Sequence, residues 1–267
     1  MPLASHKAAK NREQRAPYAR EMCHRYPAAK ELLEFYAEIA DFQLRLMQES
    51  TNVEASAAGP LRSLLDVEKI HACLPDLLSL LEKVGTPTLR ESTQLLRATP
   101  TALTLKVFND YVLGMDSDGS FGWFCARVCT QPFAELEAER KQLLPGFGGL
   151  MCPLCAARPQ VAVLRPEGDG GKRFLVCSFC LTEWEFRRVL CPVCEETDHQ
   201  KLPRYAAEGI TSTRVEACET CKHYLKSVDM TVDGHANPVV ADIATAPLDM
   251  WAAEQGFRKV HPNILGF

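Results

Sequence analysis

Residues 151–221 read MCPLCAARPQVAVLRPEGDGGKRFLVCSFCLTEWEFRRVLCPVCEETDHQKLPRYAAEGITSTRVEACETC and contain four CxxC pairs. The pairs are Cys152/Cys155, Cys177/Cys180, Cys191/Cys194 and Cys218/Cys221. Each pair forms a tight turn that points two thiolates at one place, and two such turns supply the four ligands of a tetrahedral metal ion. Chance does not explain four pairs in so short a stretch, so the segment predicts two tetracysteine metal sites.

The spacing of the pairs indicates how they combine. Residues 156–176 separate the first two pairs and residues 195–217 the last two, whereas only residues 181–190 lie between. Each long gap holds β-rich runs around a glycine turn, which predicts a β-hairpin in each of two similar units. Sequential pairing then gives two tandem rubredoxin-like or zinc-ribbon units. A cross-braced arrangement, in which the first pair joins the third, is the alternative.

The chemistry of these sites has two interpretations. Each unit is too small to fold on an apolar core alone, and a structural metal contributes about 10–16 kcal/mol in small finger peptides. The metals are therefore interpreted as structural ions that stabilise the fold of each unit, with a redox or reactive role as the alternative. Tetrahedral sulfur coordination suits both zinc and rubredoxin-type iron, so the ligands alone do not choose the metal.

One feature of the CxxC turns differs from many metal-binding turns of this kind. Glycine is frequent directly after the second cysteine, because a left-handed backbone costs glycine little. This chain has Ala156, Leu181, Glu195 and Lys222 at those positions. The sequence therefore does not support assuming that the site geometry copies rubredoxin.

The chain before residue 151 has a different character. Apolar residues recur at helical spacing over 26–50, 61–85, 87–98, 100–113 and 121–144. A Pro/Gly cluster at 145–149 then indicates a domain boundary. We predict an α+β multidomain protein with an all-helical domain at 1–148, tetracysteine rubredoxin-like units at 149–190 and 191–230, and a C-terminal helix and tail at 231–267.

Composition excludes several classes of protein. The chain has 267 residues, 12 cysteines and a formal net charge of −4, so it has no overall electrostatic bias toward nucleic acid or anionic membranes. No apolar run is long enough for a membrane span, and residues 1–20 lack the apolar core of a secretory signal. A cytoplasmic location is expected, where thiols stay reduced and paired cysteines serve as metal ligands or redox groups.

Two other functions remain alternatives at this stage. A nucleic-acid-binding ribbon would use basic residues around the aromatic residues Phe179, Trp184, Phe186 and Tyr224. A thiol oxidoreductase would use a free CxxC pair. No phosphate-binding loop or catalytic motif is recognisable, which favours a protein that is not an enzyme. Cys125 and Cys129 lie among apolar residues of a predicted helix and are expected to pack there.

The C-terminal half resembles a known family. The segments MCPLCAARP, FLVCSFCLTEWEFRRVLCPVCEE, RVEACETCKHYLK and VVADIATAPLDMWAAEQGFRKVHPN resemble FdhE, the formate dehydrogenase accessory protein family. The resemblance implies a cytoplasmic maturation factor that binds the catalytic subunit of respiratory formate dehydrogenase before export. It also implies iron on the eight CxxC cysteines, although zinc remains compatible with them.

Two acidic residues of the terminal segment are candidates for contact with that partner. Asp242 and Asp249 are seven positions apart in a segment of helical spacing that Pro247 interrupts. They could share one helix face, whereas helix capping or solvation is the simpler explanation.

Overall fold

The computed structural model describes residues 11–50, 59–115, 119–141, 146, 148–168 and 170–267. Three sequence-based predictions therefore lie partly outside the described residues. They are the polar start of the chain over 1–10, the end of the helix predicted over 121–144, and positions 145 and 147 of the boundary cluster.

The N-terminal part is helical, as the apolar spacing predicts from residue 26 onward, and it has a further helix over Arg15–Arg25 that the spacing does not predict. Its helices are α1 (Arg15–Arg25), α2 (Lys30–Glu49), α3 (Val67–His71), α4 (Leu74–Val84), α5 (Pro87–Arg97), α6 (Thr101–Leu113) and α7 (Phe121–Glu139). Short polar side chains fix several starts: Asp66, Thr86 and Ser120 each accept a hydrogen bond from a backbone N–H in the first turn of α3, α5 and α7. Short 3-10 helices at Pro27–Ala29 and Leu61–Leu64 complete this helical region.

Helix α7 runs through the core of the helical region. Cys125 and Cys129 are both fully buried in it, among apolar neighbours, which matches the packing role expected of them. A bidentate ion pair between Arg15 and Glu135, at 2.6 and 2.9 Å, joins α1 to α7. Such paired geometry compensates for removing two charges from water.

The second half forms a mixed sheet. Its strands are β1 (Pro159–Glu167), β2 (Gly170–Cys177), β3 (Glu183–Glu185), β4 (Arg204–Ala207), β5 (Ile210–Ala217), β6 (His223–Asp229) and β7 (Arg258–Lys259). Strands β1 and β2 form an antiparallel hairpin in the first long gap, and β4 and β5 form another in the second. The predicted fold class, a helical region followed by two hairpin-containing tetracysteine units and a terminal helix, is confirmed.

The two units share one sheet, a feature that the sequence did not predict. The strand order is β3-β2-β1-β6-β5-β4, with β7 paired to β6. The units meet where β1 and β6 run parallel, with Val161 opposite Lys226 and Val163 opposite Val228. This pairing makes the two hairpins one continuous layer. The domain boundaries at 148, 190 and 230 stay a prediction.

Two helices lie between β6 and β7 in the chain. They are α8 (Pro238–Ala244) and α9 (Ala246–Glu254), and Pro247 stands in the first turn of α9, where proline is tolerated because its missing N–H has no intrahelical partner. The predicted break at this proline is therefore present. Neither of these helices, nor any other among the described residues, is both long and apolar enough to cross a membrane.

Candidate metal centres

The structure brings the eight CxxC cysteines together in two groups. The first thiol group is Cys152, Cys155, Cys177 and Cys180, and the second thiol group is Cys191, Cys194, Cys218 and Cys221. Within each group all four Sγ atoms lie within 4.8 Å of one another. The grouping is sequential and not cross-braced, because each β-hairpin returns the chain to the CxxC turn that precedes it.

The distances between sulfur atoms fit a tetrahedral ion. In the first thiol group, Cys155 Sγ lies 3.3 Å from Cys177 Sγ and 3.6 Å from Cys180 Sγ. In the second, sulfur pairs between the two turns are 3.6 and 3.7 Å apart. A tetrahedral zinc ion with sulfur ligands at about 2.3 Å separates those sulfurs by about 3.8 Å. The donor set and its spacing therefore suit one tetrahedral ion per group.

All four CxxC turns share one backbone pattern. The N–H of each first cysteine donates a hydrogen bond to the carbonyl five residues later, at 2.9–3.0 Å. The residue after each second cysteine is left-handed: φ is 57° at Ala156, 54° at Leu181, 61° at Glu195 and 56° at Lys222. Among the described residues, these four are the non-glycine residues with positive φ. The turns thus adopt the conformation in which glycine is favoured, despite having other residues there.

This conformation makes Ala156→Gly a stabilising substitution. A left-handed conformation costs a non-glycine residue about 1–2 kcal/mol, whereas the added freedom of glycine in the unfolded chain costs about 0.4–1 kcal/mol. We expect a net gain of about 0.5–1 kcal/mol in the free energy of unfolding. Thermal unfolding at a fixed metal concentration measures it.

Ala156→Val is the matched comparison, because a β-branched residue tolerates positive φ least. It should lower the thermal midpoint, while Ala156→Gly raises it. Equal midpoints for the two variants would contradict the left-handed assignment at this exposed position.

The first thiol group is enclosed. All four of its cysteines are buried, with Cys177 fully inaccessible. The helical region contributes to the enclosure: Arg62 Nε donates to the carbonyl of Cys155 at 2.8 Å, and the Arg62 guanidinium lies 4.0 Å from the centre of the Phe179 ring. The same guanidinium donates to the carbonyls of Tyr111 and Val112 at the end of α6. Arg62 therefore joins the helical region to the first metal turn.

The second thiol group is partly open. Cys191 and Cys218 are buried, whereas Cys194 is exposed and Cys221 is half-buried. His223 lies beside this group, but its Nδ1 is 2.9 Å from the Cys221 carbonyl and not among the clustered sulfurs. His199 is exposed on the 3-10 helix His199–Lys201. The two groups have the same ligand set and different access to solvent.

The environments of the thiols shift their pKa values in opposite directions. Burial raises the pKa of the Cys177 thiol, while hydrogen bonds from other thiols of the group, that of Cys155 first, lower the pKa of Cys152. In the second thiol group, burial raises the pKa of Cys191 to about 11. Metal binding requires thiolates, so occupation of either group by a cation releases protons.

The two predicted partner-contact residues lie in the interior. Asp242 and Asp249 are 1% and 6% exposed. Lys226 Nζ lies 3.0 Å from Asp242 Oδ1 and 2.5 Å from Asp249 Oδ2, and Lys259 Nζ lies 2.8 and 3.1 Å from the same two carboxylates. Tyr224 donates its hydroxyl to Asp249 at 2.7 Å. Both carboxylates belong to this buried charge cluster, which attaches α8 and α9 to the sheet. Contact of either residue with a partner stays a prediction.

The charges within this cluster support one another. Burial opposes ionisation of Asp242, but the ammonium groups of Lys226 and Lys259 outweigh it and hold its pKa below the ordinary value. Sequence reasoning missed the two lysines, because Lys226 stands in a strand-like run and Lys259 in a tail that looks irregular. The sequence does contain one indication of the cluster: a single lysine, Lys226, interrupts a β-rich run and is followed by two aspartates at helical spacing.

The aromatic residues proposed for nucleic-acid stacking are also buried. Phe179, Trp184, Phe186 and Tyr224 are each at most 4% exposed. Trp184 donates its indole N–H to the carbonyl of Gly149 at 2.8 Å, which fixes the entry of the chain into the first unit. Stacking on bases requires an open ring face, so these side chains do not form the surface that the nucleic-acid hypothesis needs.

The chain is similar to proteins of one family. A family model described as FdhE, central domain, matches residues 151–188, and a model described as FdhE, C-terminal domain, matches residues 189–265. The "Protein FdhE homolog" of Aquifex aeolicus (strain VF5) is 28% identical over 262 residues, which cover 91% of each chain. That of Stutzerimonas stutzeri (strain A1501) is 38% identical over 117 residues, covering 43% of this chain and 38% of the relative.

A solved structure shares the fold. The crystal structure of the FdhE protein from Pseudomonas aeruginosa superimposes with a TM-score of 0.71 and covers 96% of each chain, at 22% sequence identity. The superposition includes the helical region, for which the sequence had indicated helices but not their arrangement. At this level of identity the similarity concerns the fold.

Proposed function

Because the chain belongs to the FdhE family, we propose that it is an accessory factor for formate dehydrogenase formation, and not an enzyme. The observation that carries the proposal is the unbroken match of the FdhE central and C-terminal domains over residues 151–265. This range contains both thiol groups. The proposed action is to bind the catalytic subunit in the cytoplasm, before that subunit is exported.

The proposed cofactors are two metal ions, one in each thiol group. Iron is favoured by the resemblance to the family, and zinc suits the same four thiolates. A bound ion would hold each pair of CxxC turns together. In the first thiol group, it would also hold the turn that Arg62 joins to the helical region. The metal of this group is therefore proposed to maintain the shape of the protein.

Co-expression with the catalytic subunit of formate dehydrogenase tests the proposed function. We expect affinity purification of this chain to recover that subunit in a stoichiometric complex. Deletion of the chain should abolish formate-dependent dye reduction by cells that still make the subunit. Size-exclusion chromatography with in-line mass measurement gives the stoichiometry.

A second tagged protein with exposed cysteines is the control for non-specific capture. Recovery of no catalytic subunit, or equal recovery by the control, would contradict the proposal. A mobility shift with DNA or RNA that weakens steeply as salt rises would favour the nucleic-acid hypothesis instead.

A further inference from the structure

A cavity opens beside the second thiol group. Its volume is about 370 Å³, and its wall includes Cys191 and Cys218, the two buried cysteines of that group. Small-molecule sites in proteins are typically clefts of about 300–1,000 Å³ with mostly apolar walls and a few polar groups. The cavity has the size of a ligand site. Two of the proposed metal ligands, the buried Cys191 and Cys218, form part of its wall.

The chemistry of the wall is largely aliphatic. Leu202, Leu225 and Val260 line it, together with proline and alanine side chains from the segments around β4 and β5. Binding of a hydrocarbon group against such a wall is favourable, by about 25 cal/mol per Å² of apolar surface removed from water. A fully hydrophilic ion would leave this surface uncovered.

Positive side chains outnumber negative ones in the lining, which contains three arginines and one glutamate. Arg173 and Glu216 neutralise each other in a buried pair at 2.7 Å. Arg188 and Arg204 remain, both exposed, and Arg204 donates a 3.3 Å hydrogen bond to the Arg188 carbonyl. The nearest carboxylate oxygen to Arg204 lies 3.9 Å away, on the Glu216 that Arg173 already neutralises. The Arg188 guanidinium donates one hydrogen bond, of 3.3 Å, to the Gly171 carbonyl, which leaves its other N–H groups available. The arginine side of the lining therefore carries an excess of positive charge, at Arg188 and Arg204.

We propose that this cavity binds a carboxylate carried on a short aliphatic chain. The carboxylate pairs with Arg188 and Arg204, whose planar donor groups match its two oxygens. The hydrocarbon covers the aliphatic wall. A divalent ion on four thiolates keeps a net negative charge, which places the carboxylate at the arginines and the hydrocarbon toward Cys191 and Cys218.

Calorimetric titration of the metal-loaded full-length chain with hexanoate tests the assignment. We expect saturable binding of one equivalent. Hexanol lacks the charge and acetate lacks the chain, so each should bind at least about tenfold more weakly. Equal affinity for hexanoate and hexanol, or no saturable binding of hexanoate, would overturn the proposal.

Variants locate the binding. Arg188→Gln combined with Arg204→Gln should weaken hexanoate binding by at least about tenfold, because a charge-assisted pair is lost. Arg90→Gln, at an exposed position of helix α5 in the helical region, is the matched control and should leave the affinity unchanged. Equal affinities of the double variant and the control would place the ligand elsewhere and so overturn the assignment. Retention of metal by each variant shows that the fold is intact.

Two sources could supply the same chemistry: a free aliphatic acid, or an acidic residue within an apolar peptide. Titration with acetyl-Ala-Leu-Glu-amide and its Gln counterpart separates them. Preference for the Glu peptide over hexanoate assigns the site to a protein segment, and the reverse assigns it to a small molecule. The experiment uses the purified chain alone, so failure here leaves the proposed complex with formate dehydrogenase untouched.

Discussion

The Cys177→Ser variant is expected to lose one metal ion and the cooperative folding of strands β1–β3. Cys177 is fully buried and its thiol lies 3.3 Å from that of Cys155. Structural zinc contributes about 10–16 kcal/mol in small finger peptides, which rivals the roughly 5–15 kcal/mol stability of a whole domain. Arg62 and Phe179 transmit the loss to the helical region through their contact at the first metal turn. Metal analysis and near-ultraviolet circular dichroism measure both effects.

Cys194→Ser is the matched comparison. Its thiol belongs to an identical ligand set but is exposed, so we expect loss of the second ion with the helical region and first unit still folded. If the two variants lose the same amount of structure, the difference in enclosure between the two thiol groups does not matter for stability.

The second large effect is expected for Lys226→Met. Lys226 is fully buried, and its ammonium contacts both Asp242 and Asp249. Removing it leaves two buried carboxylates facing Lys259 alone. Breaking a buried charge pair on one side costs about 3–5 kcal/mol, and we expect a loss of this size in the free energy of unfolding. Denaturant unfolding of the metal-loaded chain measures it.

Two further variants separate charge from packing. Lys30→Met changes an exposed lysine and should alter the free energy of unfolding by less than about 0.5 kcal/mol. Adding Asp249→Asn to Lys226→Met removes the surplus carboxylate, so the double variant should be more stable than Lys226→Met alone. A further loss in the double variant would contradict the role of charge balance at this cluster.

The local features of the metal units were predictable from sequence, because their causes are local. CxxC turns point thiols together, and each hairpin lies between the two turns that it unites. The left-handed conformation at positions such as Glu195 and Lys222 was not predicted, because non-glycine side chains disfavour it. Helices α2 to α7 of the N-terminal part followed from apolar spacing, whereas α1 did not.

The long-range features were not predictable. The parallel pairing of β1 with β6 joins residues such as Val161 and Lys226 that are far apart in sequence, and nothing in either strand alone specifies it. Enclosure of the first thiol group depends on Arg62, which lies in the helical region. The burial of Asp242 was not predictable either, because its lysine partners come from β6 and β7, which only the folded chain places beside it.

Metal content measured during chelation tests the central claim most directly. We predict two equivalents of metal per chain, released by a chelator in two phases, with the fast phase absent from Cys194→Ser. All eight CxxC thiols should resist alkylation before chelation, and a visible absorption band would identify ferric iron as the metal. Fewer than two equivalents of metal per chain, or release of both metal ions in a single phase, would contradict two tetracysteine centres of unequal enclosure. Alkylation of all eight CxxC thiols before chelation would contradict metal binding by them.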